Sequence, residues 1–315
     1  MFERVKLARP GLSVDARHDG RHTLGQSSLH RESIPFTVAL PDEGLAIVTY
    51  TWVNGNSEAG AAIALFGPAI GDRPIEARLP DRPVPPEMDF SDWRIDEFQL
   101  KQDLKFGHAE VHWHGEQATI DFEFEGLHPP YSYASNAKGC PRYCATDRIE
   151  QSGFARGTVR IGQRVIDFDT NAHRDHSWGT RDWKAFQNYR WFNGQVGGEA
   201  AVHFWHLHAL GRTDIYGYVY KDGLMAEVTK VDVDWSGDSQ FRHQSAHAVV
   251  FDEAGRETIV DASFFAHYPL VPDPTITLME GAARVTIDGR QGAGWMEMGW
   301  ETDYLRHIIA QSPNY

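Results

Sequence analysis

The stretch GTVRIGQRVIDFDTNAHRDHSWGTRDWK, Gly157 to Lys184, decides how the chain is read. Its first half is a hairpin by its own chemistry, because two β-rich arms flank Gly162-Gln163. Its second half, from Thr170, packs two Asp, two Arg, two His and two Trp into fifteen residues. A strand that crowds such side chains either pins two parts of a fold through a polar knot or lines a site where protons move.

Working outward, short apolar stretches with period-two alternation recur along the whole chain. FTVAL, LAIVTYTWV, AAIALFG, AEVHWHG and ATIDFEFEG precede the hairpin; AVHFWHLHALG, DIYGYVYKDG, HAVVFDEAGRETIVDASF and ARVTIDGRQGAGWMEMGWE follow it. Gly, Asp, Asn and Pro separate them, which is the punctuation of an antiparallel sandwich or barrel. Helical periodicity is nearly absent; only DWKAFQNY, after Arg181, reads as a turn or two of helix. At 315 residues the chain is long for one all-β unit. The economical arrangement is two tandem β-domains, residues 1–183 and 184–315, with the junction at about Asp182–Ala185.

Composition narrows the function. With 41% hydrophobic and 23% charged residues the chain is a globular protein, and its net charge of −14 disfavours a nucleic-acid partner. MFERVKLARPGLSVDARHDG carries charges throughout and lacks a signal-peptide core, and no window matches a membrane helix. The two cysteines, Cys140 and Cys144, read as reduced thiols in a cytoplasmic protein. No nucleophile elbow, phosphate-binding loop or dinucleotide fingerprint is present, so no cofactor is expected.

If AHRDHSW is extended, His173, Asp175 and Ser177 share one face, and Arg174, His176 and Trp178 the other. Asp175 suits a general acid if an apolar setting raises its pKa, a rise that a clamp from Arg174 or Arg181 would undo. Asp182 and Trp183 read as junction packing.

RDHSWG followed by RDW, after a hairpin in mid-chain, resembles the carotenoid hydratase (hydroxyneurosporene synthase) family and its AttH-like relatives. RIEQSGFARGTVRIGQRV and GWMEMGW extend the resemblance over the last two-thirds. It implies two lipocalin-like β-domains side by side, an apolar ligand pocket at or near their interface, and a buried Asp that protonates a carbon–carbon double bond. That role falls on Asp175. Hydratase-type relatives place a Tyr where this chain has His173; their upstream His-x-Trp pair corresponds most nearly to PRYCATD, whose one aromatic is Tyr143.

The expected function is a cofactor-independent lyase or isomerase acting on an isoprenoid-like or polycyclic apolar substrate. His173 or His176 would orient the acid or return its proton, while Trp178, Tyr189 and Trp205 would face a developing carbocation. His203 and Trp205 are expected to line the pocket; Glu297, between Trp295 and Trp300, would serve as a second acid or base or pair with an Arg. The alternative is a lipocalin-like binding protein. The His112/His114 and His206/His208 pairs would hold zinc only if a third ligand arrived from elsewhere, and no metal is expected.

Overall fold

The computed structural model of the chain describes Phe2 and residues 4–312. They form an all-β, lipocalin-like fold of two curled sheets. The first sheet runs from Ile75–Arg78 through Glu58–Phe66, Leu45–Asn54, His30–Leu40 and Arg164–Thr180. It continues through Asp147–Ile161, Thr119–Gly126, His108–His114 and Phe98–Gln102 to Trp93–Ile95. The second sheet orders Leu224–Gly237, Arg212–Lys221, Ala200–Ala209, Phe186–Val196, Arg290–Glu301, Ile276–Ile287, Glu257–Asp273 and His243–Asp252. Its last strand pairs back onto Leu224–Gly237 and closes a barrel. The N-terminal segment crosses between the two: Lys6–Leu7 adds to the second sheet, parallel to Leu224–Met225.

The chain passes from one sheet to the other between Thr180 and Phe186 through a single 3-10 turn, Trp183–Ala185. DWKAFQNY thus contributes less helix than its sequence suggests, because Phe186 already enters a strand and buries its ring. The one α-helix among the described residues, Thr302–Gln311, escapes the sequence analysis. Glu301 caps it by accepting from the backbone amides of Asp303 and Tyr304, and Leu305 buries against the barrel.

Alternation along the strands produces three apolar layers. Phe36, Trp93, Trp113 and Phe124 fill the first curl; Phe192, Phe204, Val219 and Met296 fill the barrel. Between the sheets lies a third layer that includes Tyr133, Trp191, Trp205 and Trp295. Strands at this seam are covered on both faces, so every residue from Ala172 to Gly179 is buried. Each large side chain there contributes about 1.5–3 kcal/mol by leaving water, and each polar one must find a partner.

The hairpin is the longest pairing in the first sheet, from Ile161↔Arg164 at the turn to Asp147↔Trp178. Its end depends on Gly179, whose φ is +115° and whose missing Cβ would stand 2.4 Å from the backbone nitrogen of Thr146. Gly162, at the turn, has φ +58° but open space around it. Gly179→Ala should therefore destabilise the fold by about 2 kcal/mol or more and Gly162→Ala by only about 1 kcal/mol, read as shifts in the urea midpoint.

Candidate active site

The hairpin register explains the crowded motif. Arg148 stands opposite Ser177, Glu150 opposite Asp175 and Ser152 opposite His173, so these six side chains share the face toward the second sheet. Arg174, His176 and Trp178 point the other way and form a knot. Arg174 donates to Gln151, Gln102 and Asp19 at 3.0, 2.7 and 2.9 Å. His176 Nε2 lies 2.7 Å from Glu32 Oε1, which also holds His22 Nδ1 at 2.7 Å, and Trp178 stacks on His22 at 3.7 Å. The knot ties residues 18–22 to the sheet, and the opposite face carries the candidate site.

On that face Glu150 is fully buried. Its carboxylate accepts from Arg148 Nε at 2.6 Å, Trp191 Nε1 at 2.8 Å and the Tyr133 hydroxyl at 3.0 Å, and His173 Nε2 lies at 2.9 Å. Burial opposes its charge, but Arg148 above all, with the His203 and His173 rings, outweighs burial and holds the carboxyl well below the usual range. Arg148 also donates from Nη2 to Asp175 Oδ2 at 2.6 Å. One guanidinium therefore faces two buried carboxyls, and only one of them ionises favourably. Burial, reinforced by Glu150 and Glu297 and opposed by Arg148 and Arg181, pushes Asp175 up to about 8.

This corrects the sequence analysis in two respects. Asp175 does meet a guanidinium, but it bonds that of Arg148 rather than Arg174 or Arg181, and burial together with the nearby charge of Glu150 outweighs it. Neither histidine touches Asp175: His173 is held by Glu150 and Ser152, and His176 by Glu32.

Asp175 opens on a cavity of about 240 Å³ between the sheets. The first sheet contributes Arg31, Ser33, Pro35, Tyr50 and the small Ala62 and Ala64; the second contributes Tyr189, Trp205, Tyr268, Leu278 and Glu297. Arg148, Ser177, Arg181 and Trp183 line it beside Asp175, so Trp183 is a wall of the cavity as well as packing at the crossing. Glu297 has no Arg partner among the described residues; it accepts the Tyr189 hydroxyl at 2.5 Å and stands opposite Glu280. Burial, and then the charge of Glu297, raises Glu280 well above the usual range, so its neutral carboxyl is a donor to Glu297.

Of the expected pocket residues, Tyr189, Trp205 and Glu297 line this cavity with Asp175, whereas His203, Tyr143 and Trp178 do not. His203 is buried against Tyr133 and the carbonyl of Phe192; Tyr143 packs edge-on against Phe186; Trp178 belongs to the knot. The sequence analysis missed Arg148 and Tyr50, and named Arg181 only as a possible clamp on Asp175. Arg148 was recoverable, because counting back from the Gly162-Gln163 turn places Arg148 and Glu150 beside Asp175.

Three groups of side chains have donor atoms close enough to share a metal ion: His22, Glu32 and His176; His112, His114 and Asp121; Glu150, His173 and His203. Asp121 is the third ligand that the His112/His114 pair lacked in the sequence. It already holds both rings, at 2.7 and 2.8 Å. No third His, Cys or carboxylate joins His206 and His208 among the described residues.

A family model described as a domain of unknown function, DUF7064, matches residues 15–302. None of the curated proteins matches the sequence. The crystal structure of a putative AttH protein from Nitrosomonas europaea is similar with a TM-score of 0.65 at 15% identity, covering 93% of this chain and 98% of that one. Kievitone hydratase from Nectria haematococca is similar with a TM-score of 0.64 at 10% identity, covering 94% of this chain and 95% of that one. At such identities the likeness is one of fold.

Two stability effects follow from this geometry. Arg148→Met, which leaves Glu150 buried without its cation, should cost about 3–5 kcal/mol in urea unfolding. The folded chain keeps the Asp175 proton until about pH 8, while the unfolded chain releases it near 3.8. Between these values the folded state binds the extra proton, so stability falls as pH rises. Urea midpoints measured between about pH 6.5 and 8 should decline more steeply in the wild type than in Asp175→Asn, whose histidines titrate alike.

Proposed function

The chain belongs to the DUF7064 family, and from the site it carries we propose a lyase or isomerase of hydratase, dehydratase or cyclase type. In this reading Asp175 protonates an alkene or an alcohol oxygen on an apolar substrate held between the sheets. The observation that carries it is a carboxyl, pushed up to about 8, facing an aromatic-walled cavity. The fold it shares with a kievitone hydratase supports a reaction of this class.

In this reading each group has a task. Asp175 gives its proton to the substrate, and the carboxylate left behind is met by Arg148 Nη2 at 2.6 Å, which stabilises the conjugate base as it forms. The π faces of Tyr189 and Trp205 stand beside the developing cation, each contributing about 0.5–2 kcal/mol in a desolvated site. Glu297, a carboxylate in the same wall, takes a proton either from an attacking water, giving hydration, or from the neighbouring carbon, giving elimination or isomerisation. A proton passed from Glu297 to Asp175 through cavity water resets the pair.

A binding protein for apolar molecules is the second reading. The Arg148–Asp175 contact favours it, because a guanidinium that kept Asp175 ionised would leave no acid. Terpenoid and steroid-like alkenes and alcohols, assayed as a panel, separate the two. Asp175→Asn should bind the turned-over compound as the wild type does but lose about 10²–10⁴-fold in kcat. Wild-type kcat should fall as pH rises through about 8, where the protonated acid disappears. Full turnover by Asp175→Asn would remove the acid.

A further inference from the structure

We propose that the cavity takes a molecule with an apolar body and an anionic end, and that Arg31 and Arg181 bind that end with Arg78 beside them. The inference rests on this cavity being the substrate site and adds the charge of what enters it.

In a chain with 44 Asp and Glu against 30 Lys and Arg, a guanidinium has carboxylates to spare. Arg148, deep in the cavity, has two. Arg31 and Arg181 line the same cavity and have none within ion-pair distance among the described residues. Arg31 Nε donates to the neutral Asn54 Oδ1 at 3.0 Å, and its guanidinium lies over the Trp52 ring at 5.3 Å. Arg181 Nη2 donates to Ser177 Oγ at 2.6 Å, while its buried Nε has no partner. Arg78 reaches Asp81 only at 3.8 Å and also lies over the Trp52 ring, at 4.3 Å, with its side chain 63% exposed. A partly buried guanidinium without a carboxylate is costly, and an oxyanion accepted from solution removes that cost.

The register places Arg31 toward one end of the cavity; Arg78 comes beside it over the Trp52 ring that both cover, and Arg181 reaches Ser177 on the neighbouring strand. Arg31 stands opposite Gly179, four residues along the strand from Asp175, or about 13 Å. That end opens to solvent through Arg78, whereas Asp175 is 5% exposed. Ser33 and Ser177, with hydroxyls 3.3 Å apart, extend a polar strip from Arg181 toward the acid. A carboxylate, sulfonate or phosphate monoester would sit at the mouth on two-pronged donors, with the apolar body on Tyr189 and Trp205.

Two fluorescent probes of one shape test this: anilinonaphthalene sulfonate, which carries the charge, and N-phenylnaphthylamine, which lacks it. The wild type should bind the sulfonate at one site per chain, at least about tenfold more tightly than the uncharged probe, and the gap should narrow at high salt. Arg31→Gln with Arg181→Gln should close the gap by weakening the sulfonate alone, and Arg181→Lys should retain part of it. Equal affinity of the wild type for both probes, or parallel loss of both in the double variant, overturns the proposal. The wild-type comparison decides even if the double variant does not fold. Asp175→Asn should keep the sulfonate preference, so a preference without turnover refutes only the acid chemistry. Equal turnover of charged and uncharged alkenes refutes only the anionic end.

Discussion

One positive charge shared between two buried carboxyls governs this protein. Arg148 bonds Glu150 through Nε and Asp175 through Nη2, both at 2.6 Å, in a layer that excludes water. Burial first, and then the charge of Glu150, keeps the proton on Asp175 against the pull of Arg148 and Arg181. The choice between them is made by neighbours: Tyr133, Trp191 and His173 all turn toward Glu150 and none toward Asp175. Trp191 belongs to the second sheet, so the carboxylate that keeps Asp175 neutral also bonds one sheet to the other. The candidate site and the packing of the two sheets therefore meet at the same group, Glu150.

Double burial at the seam explains why the polar motif is so dense. A strand with one face in water leaves its polar residues to the solvent. Here both faces of the strand are covered from Ala172 to Gly179, and each polar residue there needs a protein partner. Those toward the N-terminal segment find it in Asp19, Glu32 and Gln102, and become structure. Those toward the second sheet meet a cavity that has room because Ala62 and Ala64 stand where larger residues would fill it. The contrast between knot and site is thus one of what lies opposite, since the side-chain types on the two faces are alike.

Much of this was legible in the residues. Gly and Asn punctuation with period-two alternation yields an all-β chain, and the lipocalin-like fold suggested by RDHSWG and GWMEMGW is the one found. Asp175, Tyr189, Trp205 and Glu297 are brought to one cavity; His173 and His176 were misread because strand parity says which face a ring takes, but not which carboxylate waits there. Tyr143 and His203 failed for a similar reason, being aromatic and near the seam yet packed behind the wall. Arg148 was overlooked although the turn at Gly162-Gln163 sets its register, and Asp121 could not be assigned to His112 and His114 until strand pairing placed it opposite.

By itself the sequence determined the strands, their facing residues and, through the hairpin turn, the pairing of Glu150 with Asp175, because these depend on neighbours a few residues or one turn away. Only the tertiary structure decided which carboxyl carries the charge, where the cavity lies and which guanidiniums were left without partners. Those depend on burial and on distances between segments far apart in the chain, and an electrostatic balance between two buried acids is set by everything packed around them.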